Sequence, residues 1–288
     1  MKILLALCSA LFFSAHFGIS QETTNSLLWE VSGKKVKSPS YIFGTMHLIP
    51  NADFLFPETL KKKVKAADVL VMEIGGLSEQ MKAMQLMMLD SGTMFDYFSK
   101  EQLDSIFSYT EENLGFNEAQ IRMTFGKMKP FILMQLFTQD AFGENPESYE
   151  MTLEKIAKTN EIEVLGLETI EEQMGFIDNL SPSDQVNMIM ETLRSEDNGM
   201  KETRELIDVY LSKDIEKIHT FTVSSDASSP EFEEDFLNKR NLNWIAPIKK
   251  IIKKNKAFIA VGAAHLGGPN GVIALLKKEG YTLTPIKL

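Results

Sequence analysis

Six short apolar runs along the chain have the length and composition of β-strands, and they lie at residues 27–31, 41–44, 69–72, 162–167, 258–262 and 281–286. The second to fifth runs show little alternation of apolar and polar positions, which is typical of strands covered on both faces. Such strands usually belong to a largely parallel sheet with helices on either side. The pattern therefore predicts an α/β fold around a central, mostly parallel sheet flanked by helices.

Segments with helical periodicity fill the gaps between these runs, and we expect helices at residues 58–67, 181–196, 202–218, 231–254 and 271–278. Residues 77–161 carry helical periodicity and almost no strand signal, which predicts a large helical insertion over the sheet. Four methionines at helical spacing lie within it, at positions 81, 84, 87 and 88. They predict a buried packing face, with a flexible peptide-binding groove as the alternative.

The first twenty residues have the pattern of a secretory signal peptide, in which Lys2 precedes an apolar stretch and small residues precede Gln21. We expect cleavage after Ser20 and an exported mature chain, periplasmic or secreted, with residues 21–288 forming a single domain. No later segment approaches the roughly 20 apolar residues of a transmembrane helix. The formal net charge of −10 becomes −11 when Lys2 leaves. This acidic balance argues against nucleic acid as a partner.

Several chemistries are excluded by missing residue types. The single cysteine, Cys8, lies in the predicted signal peptide, so the mature chain has no disulfide, cysteine nucleophile or cysteine-ligated zinc. The sequence also lacks the Gly-x-Ser-x-Gly elbow, the His-Glu-x-x-His motif and the glycine-rich loops that bind nucleotides.

Two Gly-x-x-His motifs follow predicted strands and end in His47 and His265. Glu73 ends a third strand, and the carboxyl ends of parallel strands are where open sheets bind ligands. Two imidazoles and a carboxylate form a common first shell for a catalytic divalent metal, so His47, Glu73 and His265 are the candidate metal ligands. A histidine of this kind taken alone is more often a hydrogen-bonded structural residue, but two matching motifs in a histidine-poor chain favour function.

Three further residues are candidates for catalysis. Glu168 ends the fourth predicted strand, where it would orient a histidine or act as a general base on bound water. Arg240 lies on a predicted helix next to Asn241, and the pair would hold a substrate or a developing oxyanion. An ordinary surface salt bridge is the alternative for Arg240.

Taken in order, five segments resemble the TraB/GumN family, also called TraB/PrgY, whose animal relatives are the TIKI proteins. They are residues 40–47 (SYIFGTMH), 71–73 (VME), 166–173 (GLETIEEQ), 239–241 (KRN) and 261–266 (VGAAHL). The resemblance implies an α/β fold like that of erythromycin esterase and ChaN-type proteins, with a site built from the two Gly-x-x-His motifs and an acid. In the TIKI branch it implies metalloprotease activity that depends on manganese or cobalt. Residues 77–160 show little resemblance to the family, so the resemblance does not indicate the substrate.

The leading hypothesis from these residues is metal-dependent hydrolysis, of a peptide bond in particular, outside the cytoplasm. A second hypothesis is a non-catalytic protein that sequesters a peptide or haem. A third is esterase-type hydrolysis of a small molecule by the same histidines and glutamates without a metal.

Overall fold

A computed structural model describes residues 25–33, 36, 38–140, 142–143, 145–179, 181–194, 196–224 and 233–288. The predicted signal peptide and the start of the helix predicted at residue 231 lie outside these residues and stay predictions. None of the helices within the described ranges is both long and apolar enough to cross a membrane.

A six-stranded, mostly parallel sheet forms the centre of the molecule, and all six predicted strands are confirmed. They are β1 (Leu28–Ser32), β2 (Ser40–Thr45), β3 (Val69–Ile74), β4 (Glu163–Glu168), β5 (Ala257–Gly262) and β6 (Thr282–Ile286). The spatial order is β4-β3-β5-β2-β1-β6. Strands β4, β3, β5 and β2 run parallel, whereas β1 is antiparallel to both β2 and β6. Strands β2, β3 and β5 are almost completely buried, as their continuous apolar sequences predicted. The same prediction was wrong for β4, which lies at one edge of the sheet and has only Leu167 buried.

Helices cover the sheet and form the insertion. They are α1 (Glu58–Lys65), α2 (Leu77–Leu86), α3 (Lys100–Leu114), α4 (Glu118–Phe125), α5 (Phe131–Asp140), α6 (Tyr149–Thr159), α7 (Ile170–Asn179), α8 (Pro182–Arg194), α9 (Glu196–Leu211), α10 (Ile215–Ser224), α11 (Lys239–Ile252) and α12 (Val272–Lys278). A π-helical segment, Glu233–Asn238, leads into α11. The predicted helical insertion is confirmed as α2 to α6.

The prediction of one continuous helix at 202–218 was wrong, because a short turn separates α9 from α10. Lys213 adopts a left-handed conformation with φ of 60°. Asp214 then caps α10, since its Oδ1 accepts hydrogen bonds from the backbone N–H groups of Glu216 and Lys217 at 3.2 and 3.3 Å. An N-terminal cap of this kind starts a new helix rather than continuing the old one.

Separate apolar clusters stabilise the sheet and the helical part of the chain. The largest cluster surrounds both faces of the sheet. A second is built from side chains of α3, α4, α5 and α8, so the insertion shares a core of its own with α8. The prediction that the four methionines at positions 81, 84, 87 and 88 form a buried face was wrong for three of them. Met81, Met84 and Met88 are 62%, 71% and 44% exposed, and only Met87 is buried, against Ile170 and Met174.

Candidate functional site

Four strands end at one edge of the sheet, and the predicted polar residues gather there. The register pairs Thr45 of β2 with Gly262 of β5, and Ile74 of β3 with Glu168 of β4. The parallel direction of these strands therefore brings Glu73, Glu168 and the segments that carry the two histidines to the same side of the molecule.

Arg240 of α11 lies between the two glutamates. Its Nη2 donates to Glu73 Oε2 at 2.6 Å and to Glu168 Oε1 at 2.5 Å, and its Nε donates to both Glu168 oxygens at 3.0 and 3.2 Å. The three side chains are only 16%, 9% and 7% exposed. This is a buried ion-pair network rather than the surface salt bridge considered as its alternative.

Two side chains that sequence reasoning missed complete the network. Trp244 lies one helical turn after Arg240 and donates its Nε1–H to Glu168 Oε2 at 3.1 Å. Gln173 of α7 donates to both Glu73 Oε2 and Glu168 Oε1 at 3.3 Å. The spacing of Trp244 from Arg240, four residues on one helix, is the one sequence signal that pointed to it.

His265 is held by Asn241 in a single tautomer. The Asn241 amide nitrogen donates to the Asn270 carbonyl oxygen at 3.0 Å, so the amide oxygen faces His265 and accepts from its Nδ1–H at 2.7 Å. The lone pair of Nε2 then accepts from Arg240 Nη1 at 3.3 Å. Trp244 packs against the imidazole with ring centroids 4.5 Å apart. His265 is therefore fixed on both nitrogens and on one face.

The charges at this site follow from burial. Burial lowers the pKa of His265 to about 3, so its imidazole is neutral at pH 7. Burial would raise the pKa of Glu73, but the positive charges that His265 and Arg240 can carry beside it lower that pKa to about 2. At pH 7, where His265 is neutral, the positive charge beside Glu73 is that of Arg240. The Gly262 N–H adds a hydrogen bond of 2.7 Å to Glu73 Oε1, at a position where a Cβ atom would come within 3.3 Å of that oxygen.

His47 belongs to a second group of residues at the end of β2. Its Nδ1–H donates to Glu150 Oε1 at 3.2 Å, and the Thr45 hydroxyl donates to the same oxygen at 2.6 Å. The hydrogen bond with Glu150 raises the pKa of His47 to about 9. Because the imidazole is 71% exposed, water screens the attraction between this pair.

The structure thus brings five of the six predicted site residues into one hydrogen-bonded network: Glu73, Glu168, Arg240, Asn241 and His265. His47 is not hydrogen-bonded to this network. It is close enough for the charge of Glu73 to raise its pKa. The site therefore has a buried part and an open part.

The predicted metal ligands do not fit a metal centre in this arrangement. His265 Nε2 and Glu73 Oε1 are 3.8 Å apart, but the Nε2 lone pair faces the Arg240 guanidinium, which also occupies the other oxygen of Glu73. Among the described residues, no group of three or more His, Cys, Asp or Glu side chains is placed to hold a metal ion. The described residues thus give no support to the divalent metal that the resemblance implies, and this metal stays a prediction.

A cavity of about 330 Å³ lies on the β2 side of the site. Its lining includes five aromatic rings, those of Phe43, Phe54, Phe56, Tyr149 and Tyr210. Phe43 and Thr45 point to the same face of β2, because side chains alternate along a strand, and same-face neighbours are about 7 Å apart. The cavity is thus lined by Phe43, on the same face of β2 as Thr45, and by Tyr149, the residue before Glu150.

Fold and site together define an α/β protein with a polar, charge-paired site at the carboxyl ends of a mostly parallel sheet. The chain belongs to the TraB/PrgY/gumN family, whose sequence profile matches residues 27–285, nearly its whole length. Neither the curated proteins nor the solved structures include a significant match to it.

Proposed function

We propose that this chain is a hydrolase that acts on a peptide or a related acyl compound at the ends of β2 to β5. The observation that carries the proposal is the contrast between its two motif histidines. His265 is buried and neutral, whereas His47 is open to solvent and holds its proton through Glu150. Groups whose environments push their pKa values apart are the usual sign of divided acid and base roles in a hydrolytic site.

In this proposal His47 exchanges a proton with the substrate or the leaving group, because it is by far the most exposed of the six predicted side chains. Arg240 provides a fixed positive charge beside the reacting carbonyl. Glu73 and Glu168 hold Arg240 in place, since most of their hydrogen-bonding capacity is already used by it and by neighbouring donors. Asn241 orients His265 rather than holding substrate, because both ends of its amide are occupied.

The aromatic cavity supports an apolar group in the substrate. Its volume of about 330 Å³ is at the small end of the range for ligand pockets, roughly 300–1,000 Å³. The hydroxyls of Tyr149 and Tyr210 donate to the backbone oxygens of Leu55 and Gly44, so the tyrosines present mainly their rings. We therefore expect a preference for a large apolar side chain next to the scissile bond.

A cleavage assay tests the proposal. Purified mature protein is incubated with a peptide library and a panel of acyl esters, with added Mn²⁺, without it, and with a chelator. We expect cleavage that His47→Ala and Glu73→Gln each reduce at least about 100-fold, the scale of general acid–base and electrostatic contributions. Glu171→Gln is the control, because Glu171 is 50% exposed and contacts only Lys82 among the ion pairs of the described residues.

The assays with Mn²⁺ and with a chelator distinguish metal-dependent hydrolysis from hydrolysis by side chains alone. A chelator abolishes the first reaction and leaves the second unchanged. Recovery of every peptide and ester intact under all three conditions would overturn the proposal. In that case intact peptide that elutes with the protein would support a sequestering function, and a Soret band on haem titration would support haem binding.

A further inference from the structure

Glu150, which no sequence motif indicated, is the most heavily engaged acid on the open side of the site. It lies in the first turn of α6, whose N-cap is Ser148. Its Oε1 accepts hydrogen bonds from both the Thr45 hydroxyl and His47, and its Oε2 accepts one from the Ser148 hydroxyl at 3.2 Å. Only 24% of the Glu150 side chain is exposed, and Thr45 is 2% exposed. A carboxylate buried to this extent needs such donors to offset its lost hydration.

Both partners of the contact between His47 and Glu150 are anchored in the fold. Two residues after His47, Ile49 pairs with Glu147 in an antiparallel bridge with N···O distances of 3.0 and 2.8 Å. This bridge ties the end of β2 to the start of α6. Tyr149 packs edge-on against Phe43 with ring centroids 5.4 Å apart. Glu150 therefore has a fixed backbone position from which to hold the imidazole.

We propose that Glu150 is a positioning residue for His47, holding its Nδ1 side to the protein so that Nε2 faces the reacting group. An imidazole that is 71% exposed would otherwise exchange among several rotamers and meet the substrate in one of them only part of the time. A carboxylate can only accept from Nδ1–H, so the contact also selects which nitrogen is free. Fixing a proton-transfer group in its reactive geometry raises kcat more than it changes binding. The inference rests on the proposed function for its effect on catalysis, but not for the geometry.

The geometry is tested by NMR on protein labelled with ¹⁵N-histidine. The Nδ1–H proton of His47 should be visible in the wild type, because its hydrogen bond to Glu150 slows exchange with water, and His47→Gln assigns the signal. Glu150→Ala should lose the signal. Glu150→Leu, which keeps bulk without an acceptor, replaces it if the alanine variant does not fold. Glu150→Gln should keep the signal, because its amide oxygen can accept from the same donors and its NH₂ can donate to Ser148.

The catalytic effect is tested with the same variants on a substrate found in the cleavage assay. Glu150→Ala should lower kcat about 10- to 100-fold, as loss of an orienting carboxylate does elsewhere, with KM changed less than about 3-fold. Glu150→Gln should restore at least about a tenth of the wild-type kcat. Glu147→Ala is the matched control, because Glu147 lies in the same segment and its carboxylate binds Asn51 rather than His47.

Retention of both the Nδ1–H signal and kcat in a folded Glu150→Ala or Glu150→Leu variant would overturn the inference. If the wild type cleaves nothing, the NMR experiment still decides whether Glu150 positions His47. Failure of the proposed function is therefore distinguishable from failure of this inference.

Discussion

Replacing Arg240 with leucine should destabilise the fold far more than an ordinary change of charge. The guanidinium contacts Glu73 and Glu168, whose side chains are 9% and 7% exposed. Without it, two carboxylates would be left close together in a nearly dry site, with Gln173 and Trp244 as remaining side-chain donors. Removal of one partner from a buried ion pair typically costs about 3–5 kcal/mol, and we expect a loss in this range at pH 7.

The loss should shrink on acidification. In the variant, burial and mutual repulsion raise the pKa of at least one of the two glutamates above its value in the unfolded chain. The folded variant therefore gains a proton before the unfolded chain does, and the penalty falls as the pH decreases towards about 5. A second substitution, Glu168→Gln in the Arg240→Leu background, removes one of the opposing charges and should recover part of the stability at pH 7.

Urea unfolding followed by circular dichroism measures both effects. The matched control is Lys239→Leu, because Lys239 is the preceding residue on α11, is 60% exposed and pairs with Asp235 at the surface. Its loss should be below about 1 kcal/mol. Equal losses in the Arg240 and Lys239 variants, or a penalty for Arg240→Leu that does not change with pH, would refute the account of the network.

Three further predictions concern stability. Because burial lowers the pKa of His265 to about 3, the unfolded chain takes up a proton at this histidine before the folded protein does as the pH falls. The free energy of unfolding should therefore decrease by about 2 kcal/mol between pH 6.5 and about 5. His265→Gln should remove this decrease in urea unfolding. Gly75→Ala should lower the melting temperature sharply, because its Cβ would lie 2.3 Å from the backbone of the neighbouring segment, whereas Gly175→Ala, with open space around it, should not. Trp244→Phe removes the N–H donor to a buried carboxylate and should cost about 1–3 kcal/mol in the same measurement.

Local periodicity predicted the sheet well because each strand carries its own signal. The buried strands are short, continuous apolar runs, and none of them depends on a partner to be recognised. The turn at Lys213 carried only the weak local signal of the cap residue Asp214, and part of what fixes it is a hydrogen bond from the Lys213 side chain to the backbone of Leu288, 75 residues away. The methionines on and just after α2 show the same limit of sequence periodicity. Periodicity identifies a shared face but not whether a neighbouring element covers it.

Parallel topology made the strand-borne part of the site predictable, whereas only two of its helical residues, Arg240 and Asn241 of α11, were predicted. Glu73 and Glu168 end strands and His265 follows one closely, so parallel topology alone brings them to one edge of the sheet. The side chains of Gln173 and Glu150 come from helices, and which way a helical residue faces depends on how the helix packs. No property of the surrounding sequence fixes that packing.

The two Gly-x-x-His motifs are alike in sequence, yet the elements around them differ. The end of β5 is covered by α11, which supplies Arg240 and Trp244 and buries His265. The end of β2 meets the first turn of α6, which tethers His47 but leaves it open. Equivalent motifs suggested equivalent roles, and the neighbouring helices are what separate them.

This separation leads to a prediction about metal binding. A divalent ion held by His265 and Glu73 would lie beside the Arg240 guanidinium, and repulsion between the two cations opposes its binding. If these residues are ligands, Arg240→Gln should bind Mn²⁺ more tightly than the wild type in isothermal titration, and His265→Gln should remove the difference. Weaker or unchanged binding in Arg240→Gln would mean that any metal binds elsewhere, because no ion could share that space with Arg240 without being affected by its charge.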